Sequence, residues 1–350
     1  MWDRSIKLLE QSPSLLMINV KGSSLILSLW VLFLLTIFVV TVGSTVRQKV
    51  TLVQRIEEKN KLRLIAEAGV KRAIAEFKKE DLTNYDTLTD AWSNNSRLFQ
   101  KISVSDGYFN ICYDYLDEKT EHWETRYGLI DEERKININQ ADISVLERFF
   151  RIVLGWDEME AQDLAASIVD WRDSDSALSI PLGSAEDSYY RNLFYSYESK
   201  DAQFEVLDEI LLVKGMTQDI FEKIKDYITR YGDGRVNINT ASKIVLLALG
   251  LNEDTVYKIL SFRKGEDGLE ATSDDNVFDN PSNIVVSLGQ FYSLTSSEKT
   301  TLAVLADQKL GTTSNYFTIR SLAQLEYGKN VMQVHCVVNR EGKIFYWQEI

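Results

Sequence analysis

The sequence predicts an α+β protein: a long N-terminal transmembrane helix packed on a small antiparallel sheet, interrupted by a large, mostly α-helical insertion. Three observations carry this. Residues 23–46 hold no charged side chain, and at 1.5 Å of rise per residue such a run crosses a hydrocarbon core of roughly 30 Å. Strand-like alternation occurs at two places far apart, after residue 107 and after residue 315, with helical periodicity between them. The middle section also repeats itself at a spacing of one hundred residues.

The apolar run comes first. A secretory signal would have a core of about 7–15 apolar residues followed by a small-residue cleavage site. Here the run is longer, and Lys21-Gly22 stands before it. Helical spacing continues through Val50, Val53 and Ile56 and then Leu62, Ile65, Ala66, Gly69, Ala73 and Phe77, so one helix is expected over residues 23–80, half in lipid and half outside. This helix resembles that of the pilins and pseudopilins. The resemblance implies that residues 1–22 are a leader, that a prepilin peptidase cuts after Gly22, and that Ser23 becomes a methylated N-terminus. Two positions depart from the class: Ser23 stands where Phe is common, and Leu27 where the fifth residue is usually Glu. A missing Glu is characteristic of one member, the minor pseudopilin K of type II secretion. The flanking charges point the other way: Arg4, Lys7 and Lys21 precede the span and Arg47, Lys49, Arg55, Lys59 and Lys61 follow it, which disfavours the N-terminus-inside orientation the class requires.

Residues 81–138 are expected to hold the first part of the sheet domain. A polar stretch to Ser105 leads to two strands, residues 108–116 and 122–130, around an Asp-Glu-Lys turn. Residues 313–350 supply the rest, with strands over 316–324, 331–339 and 343–348, the last two joined at Arg340-Glu341-Gly342. Between them, residues 139–312 form the insertion. Helices are predicted over 146–154, 158–171, 205–213, 218–231, 243–249 and 253–263. Lys135-Ile136-Asn137-Ile138-Asn139-Gln140-Ala141 recurs as Arg235-Val236-Asn237-Ile238-Asn239-Thr240-Ala241, and each copy leads to a helix ending in Trp171-Arg172 or Phe262-Arg263. The second Asn of each copy, Asn139 or Asn239, is placed to cap the next helix.

The paired Asn-Ile-Asn segments, Val169-Asp170-Trp171-Arg172-Asp173-Ser174-Asp175, Gly183-Ser184-Ala185-Glu186-Asp187-Ser188-Tyr189-Tyr190, Phe204-Glu205-Val206-Leu207-Asp208-Glu209-Ile210 and Tyr346-Trp347-Gln348-Glu349 together resemble the minor pseudopilin K family. The resemblance implies a pilin-like helix-plus-sheet domain carrying a large α-domain, and a non-enzymatic subunit at the tip of the type II secretion pseudopilus. It implies a single-pass protein of the bacterial inner membrane with its body in the periplasm. Its partners would be the I and J minor pseudopilins, the major pseudopilin, the prepilin peptidase and membrane lipid. In the class the fifth-position Glu neutralises the N-terminal amine of the preceding subunit, so Leu27 would act as a switch of filament position that favours the tip.

Catalytic readings find little support. The histidines are His122 and His335, both on expected strands, and no His-Glu-x-x-His, Gly-x-Ser-x-Gly or Gly-x-x-x-x-Gly-Lys is present. Beyond residue 46 the formal charge is about −14, which repels phosphate backbones and anionic headgroups. The richest ligand cluster is the loop 265–279, where Asp267, Asp274, Asp275 and Asp279 could wrap oxygens around Ca²⁺ with Gly268 turning the backbone. Against this stands a solvated acidic loop. The family's α-domain binds calcium, so the resemblance favours the ion. A second group, Asp173, Asp175 and Glu186, is the weaker candidate, since its aspartates also suit a helix-ending turn. Residues 206–228 look like a helix-hairpin-helix around Leu212-Val213-Lys214-Gly215-Met216-Thr217, which opens the alternative of a membrane-tethered binding module, either a DNA receptor or a protein-interaction anchor. Asp208, Glu209, Asp219, Glu222 and Asp226 flank the hairpin and oppose nucleic acid. Cys112 and Cys336 allow one disulfide or two buried thiols.

Overall fold

The computed structural model describes residues 21–79, 85–117 and 122–350, so the expected leader, apart from its last two residues, and the turn between the first two strands lie outside the described residues. The chain divides into two units, one ending at Asn60 and one running from Lys61 to Ile350. Along the chain the elements are α1 (Lys21–Phe77), α2 (Ser96–Phe99), β1 (Ile102–Val104), β2 (Gly107–Ile111), β3 (Tyr113–Asp117), β4 (His122–Arg126), β5 (Ile130–Asp131) and β6 (Ile136–Asn137). Next come α3 (Ile143–Leu154), α4 (Glu158–Arg172), α5 (Asp187–Tyr190), a 3-10 turn (Leu207–Leu212), α6 (Gln218–Ile224), β7 (Ile228–Thr229), β8 (Val236–Asn237), α7 (Lys243–Ala248) and α8 (Glu253–Arg263). Last are α9 (Ile284–Phe291), α10 (Ser296–Gln308), β9 (Leu310–Gly311), β10 (Tyr316–Leu325), β11 (Val331–Asn339) and β12 (Ile344–Glu349).

The first unit is the early part of α1, a helix of 57 residues in all. Its large apolar side chains from Leu25 to Ile56 are exposed, and it is long and apolar enough to cross a membrane. Its hydroxyls turn inward: Ser28, Thr41, Ser44 and Thr45 donate to carbonyls three or four residues earlier at 2.8–2.9 Å. In lipid no water can take those donors, so the helix must satisfy them itself.

In the second unit, the α1 residues Leu62, Ile65, Ala66, Val70, Ala73 and Phe77 are buried, the three-or-four spacing of one helix face. They pack on Phe109, Ile111, Phe317, Ile319, Met332, Val334 and Cys336 of a six-stranded sheet. Its order is β1-β2-β10-β11-β12, with β5 also on β10, all antiparallel. A Cβ at Gly69 would come within 2.1 Å of Ser321 Oγ and 3.0 Å of Phe109, so only glycine lets this helix lie so close to β10. The C-terminal strands fall where the alternation places them. The first expected strand does not run unbroken: at Cys112, whose N–H donates to Arg320 O at 3.2 Å, the chain leaves β10, and β3 pairs instead with β4 as a separate two-stranded sheet. The second also breaks, because Ile130–Asp131 goes to β10. Both cysteines are free thiols.

A second core, spanning Ile136 to Leu310, holds the helical section. Two parallel strand pairs close it, β6 with β7 and β8 with β9, and they frame two copies of one plan: strand, two helices, an acidic loop, further helices, strand. The expected helix over 218–231 therefore stops at Ile224, since Ile228 and Thr229 are needed beside β6. The expected helix over 205–213 is a 3-10 turn. Helices α9 and α10 were not expected from the sequence.

The repeated asparagines are not caps, contrary to the sequence expectation. Asp142 and Ser242 cap α3 and α7 by accepting from Val145 N and Val245 N. Asn139 instead clips a distant strand of chain, accepting from Phe204 N at 2.8 Å and donating to Phe204 O at 3.2 Å. Asn239 does the same to Phe278, at 2.9 and 3.0 Å. The reason is geometric: the preceding Asn137 and Asn237 accept from the N–H of Asn139 and Asn239 at 2.8 and 3.0 Å, and that tight turn points the second amide away from the coming helix.

Candidate metal centre

Each repeat also has an arginine clamp. Arg172, ending α4, donates to Ile138 O and Ala141 O. Arg263, ending α8, donates to Ile238 O and Ala241 O. Arginine and asparagine thus fix the two ends of an acidic loop in each repeat, Arg172 to Phe204 in one and Arg263 to Phe278 in the other.

The first loop brings its carboxylates together. Asp173, Asp175 and Glu186 each offer an oxygen, all within 4.8 Å of one another, and they are the one such group of three acidic, histidine or cysteine side chains among the described residues. The chain turns there because Asp175 accepts from Ala177 N at 2.8 Å and Asp170 accepts from Ser179 N at 3.1 Å. Glu186 starts α5 without capping it. In the same loop region, Trp171, Tyr190 and Tyr197 pack on one another with ring centroids 5.1–6.1 Å apart. Ser199 Oγ donates to Glu186 Oε2 at 3.3 Å, while Glu186 Oε1 and Asp173 Oδ1 are buried with no hydrogen-bond partner. Burial, then the neighbouring Asp175 and Asp170, pushes the Asp173 carboxyl up to about 6. Burial, then Asp170 and Asp173, pushes Glu186 up to about 7. Such a cluster repels itself when ionised and has free oxygens aimed inward, which suits a hard divalent cation taking six or more oxygens.

The loop 265–279 uses its acids differently. Asp274 Oδ2 accepts from Glu266 N at 2.8 Å and Asp267 N at 3.0 Å, and its Oδ1 accepts from Thr272 Oγ1 at 2.7 Å. The Thr272 hydroxyl and those amides hold Asp274 down to about 2. Asp275 accepts from Ala271 N at 2.8 Å, Asp267 from Leu269 N at 2.7 Å, and Asp279 from Asn283 at 3.3 Å. Gly268 sits at φ +68°, turning the backbone as the sequence suggests. Asp267, Asp274 and Asp275 are thus bound to their own loop and Asp279 to Asn283 beyond it.

Other sequence candidates are placed as follows. Leu27 is exposed on α1, and Gly22 and Ser23 fall in its first turn. In the expected hairpin, Lys214 N donates to Tyr190 Oη at 3.2 Å and Lys214 Nζ to Gly183 O at 2.8 Å. Those donors are spent inside the protein, on the loop of the first acidic cluster. His335 is pushed down to about 4 by burial and by Arg320, and its ring packs against Tyr346 with centroids 5.5 Å apart. The clips at Asn139 and Asn239 were missed as such, although the recurrence of the paired asparagines one hundred residues apart was the signal for them.

Comparison with known proteins bears on this architecture. Residues 128–233 match the family model described as type II secretion system (T2SS), protein K. The type II secretion system protein K of Aeromonas hydrophila is 30% identical over 115 residues, 31% of this chain and 34% of that protein, so the match spans about a third of the relative's length. The crystal structure of the GspK-GspI-GspJ complex from the enterotoxigenic Escherichia coli type 2 secretion system contains a similar fold. Its TM-score is 0.60 at 16% identity, covering 86% of this chain and 99% of that one.

Proposed function

Proceeding from a chain that matches the type II secretion protein K family over residues 128–233, we propose that it is a non-enzymatic minor pseudopilin that starts assembly at the pseudopilus tip with I- and J-type partners. The observation that carries the reading is α1: one helix that is apolar and exposed at its start and becomes the spine of a sheet domain at its end. A helix so built can leave a bilayer and enter a filament without changing its fold. Its apolar face would pack on the equivalent helices of neighbouring pseudopilins. Leu27 lacks the carboxylate that would neutralise the N-terminal amine of a preceding subunit, so this subunit gains little by adding beneath another. In the crystal structure with the similar fold, the K component is in complex with I and J, which supports the same partners here.

The helical section would hold Ca²⁺ between Asp173, Asp175 and Glu186, supported by the two buried carboxylate oxygens that have no other partner. The 265–279 loop would bind an ion more weakly, because its aspartates must first release backbone amides. The ion would lock a loop that also anchors Lys214.

The test is the intact mass of membrane-extracted protein made with and without a prepilin peptidase. Loss of residues 1–22 with a methyl group on Ser23 is expected only with the peptidase; an uncut chain beside an active peptidase would contradict the reading.

A further inference from the structure

Glu186 stands between two stretches of chain. On one side are Asp173 and Asp175, each with an oxygen within 4.8 Å of one from Glu186. On the other, the chain runs from Asp187 out to Phe194 and Tyr195 and back to Ser199. Glu186 is itself 3% exposed. Its Oε2 accepts from Ser199 Oγ at 3.3 Å, and its Oε1 has no hydrogen-bond partner among the described residues. One oxygen of this carboxylate is held by Ser199, and the other is free for an ion.

The excursion after Glu186 belongs to the first repeat alone. Thirty-one residues separate Arg172 from Phe204, against fourteen between Arg263 and Phe278, so the arginine and asparagine contacts can close their frame without it. The added chain is an arm with its own bracing. Asp187 Oδ1 accepts from Ser199 N at 2.9 Å and from Ser199 Oγ at 2.8 Å, and Arg191 joins Asp187 and Glu198, each at 2.7 Å. Tyr190 and Tyr197, with ring centroids stacked 5.2 Å apart, root the arm in the helical core. Its tip is bare: Phe194 is 93% and Tyr195 81% exposed, their rings edge to face at 4.9 Å. The Ser199 hydroxyl touches both Glu186 and Asp187, so it links the acidic cluster to the closure of the arm. Without an ion, the ionised carboxylates push Glu186 away from Asp173 and Asp175, and a displaced Glu186 gives Ser199 up. An ion holding Glu186 in place would keep that contact and steady the base of the arm.

We propose that Ser199 couples ion occupancy of the Asp173, Asp175 and Glu186 cluster to the order of the aromatic arm, residues 187–199. The inference rests on the calcium reading of that cluster. The test is hydrogen exchange read by mass spectrometry on the full-length protein in detergent, with millimolar Ca²⁺ and with a chelator. Native mass spectrometry of the same samples counts bound ions. In wild type, Ca²⁺ should slow exchange at least about threefold both in the cluster loop, residues 174–185, and in the arm, residues 189–199. Ser199→Ala, which removes a single hydroxyl, should keep the calcium effect in 174–185 and lose it in 189–199. A serine that merely props the arm would instead leave the calcium response of Ser199→Ala intact in both segments, and that result would overturn the proposal. An ion bound to wild type with no response in the arm overturns this inference alone. No bound ion in wild type overturns the calcium reading along with it.

Discussion

In the first helical repeat the chain leaves Arg172 and draws Asp173, Asp175 and Glu186 to within 4.8 Å of one another, whereas in the second it leaves Arg263 and turns Asp274 and Asp275 back onto the loop's own amides. The frames match: arginine on two carbonyls, asparagine on one phenylalanine, a parallel strand pair at the base. The contents differ because the second loop has donors near its acids, the Thr272 hydroxyl and the amides opened at Gly265 and Gly268, where in the first Asp175 has Ala177 N, Glu186 has Ser199, and one oxygen each of Asp173 and Glu186 is left over. The two loops thus differ in how far their own donors satisfy their acids, which is the premise of the proposed calcium site. The density of acids, higher in the shorter second loop, does not measure that.

The largest expected effect distinguishes the two clamps. Arg263 also pairs with buried Glu270 at 3.2 Å, so Arg263→Ala should cost about 3–5 kcal/mol by stranding that carboxylate. Arg172→Ala removes carbonyl contacts only and should cost about 1.5–3 kcal/mol. Denaturant unfolding in detergent reads both, and equal losses would mean that the Glu270 pair adds nothing. Next, Asn139→Ala and Asn239→Ala each free the N–H and C=O of a buried phenylalanine, for about 2–3 kcal/mol apiece; a large inequality would break the equivalence of the repeats.

The pH response should separate the loops further. Asp173 and Glu186 have raised pKa values, to about 6 and about 7, so the fold favours their protonated forms. Their unfavourable contribution therefore grows as pH rises from the ordinary carboxylate range through those values, and is constant above. With a chelator present, Tm should fall across that window; with millimolar Ca²⁺ the fall should vanish, since the ion favours the ionised forms. Glu186→Gln should flatten the chelator profile, and Asp274→Asn should leave it unchanged. The smallest effects are at the true caps, where Asp142→Ala and Ser242→Ala should each cost about 1 kcal/mol. Asp142 should cost the more, because its bond to Val145 N is 2.9 Å against 3.4 Å from Val245 N to Ser242.

Much of this was legible in order. The charge-free run and the spacing from Leu62 to Phe77 pointed to α1 because helix periodicity and burial coincide there. The alternation after residue 315 pointed to β10, β11 and β12 for the same reason. Legibility failed where a residue's partner lies far along the chain. Nothing local says that Asn139 reaches Phe204, that Ile228 must pair with Ile136, or that the strand near Cys112 changes partner. The hydrogen bonds that occupy Asp274 and Asp275 were not legible either, because they depend on a backbone path the sequence does not display.

The most direct test of the contrast between the loops is native mass spectrometry of the calcium-loaded protein, comparing wild type with Glu186→Gln and Asp274→Asn. The account predicts that the tightest-bound Ca²⁺ is lost in Glu186→Gln and retained in Asp274→Asn. Retention in Glu186→Gln with loss in Asp274→Asn would place the ion in the second repeat and contradict it.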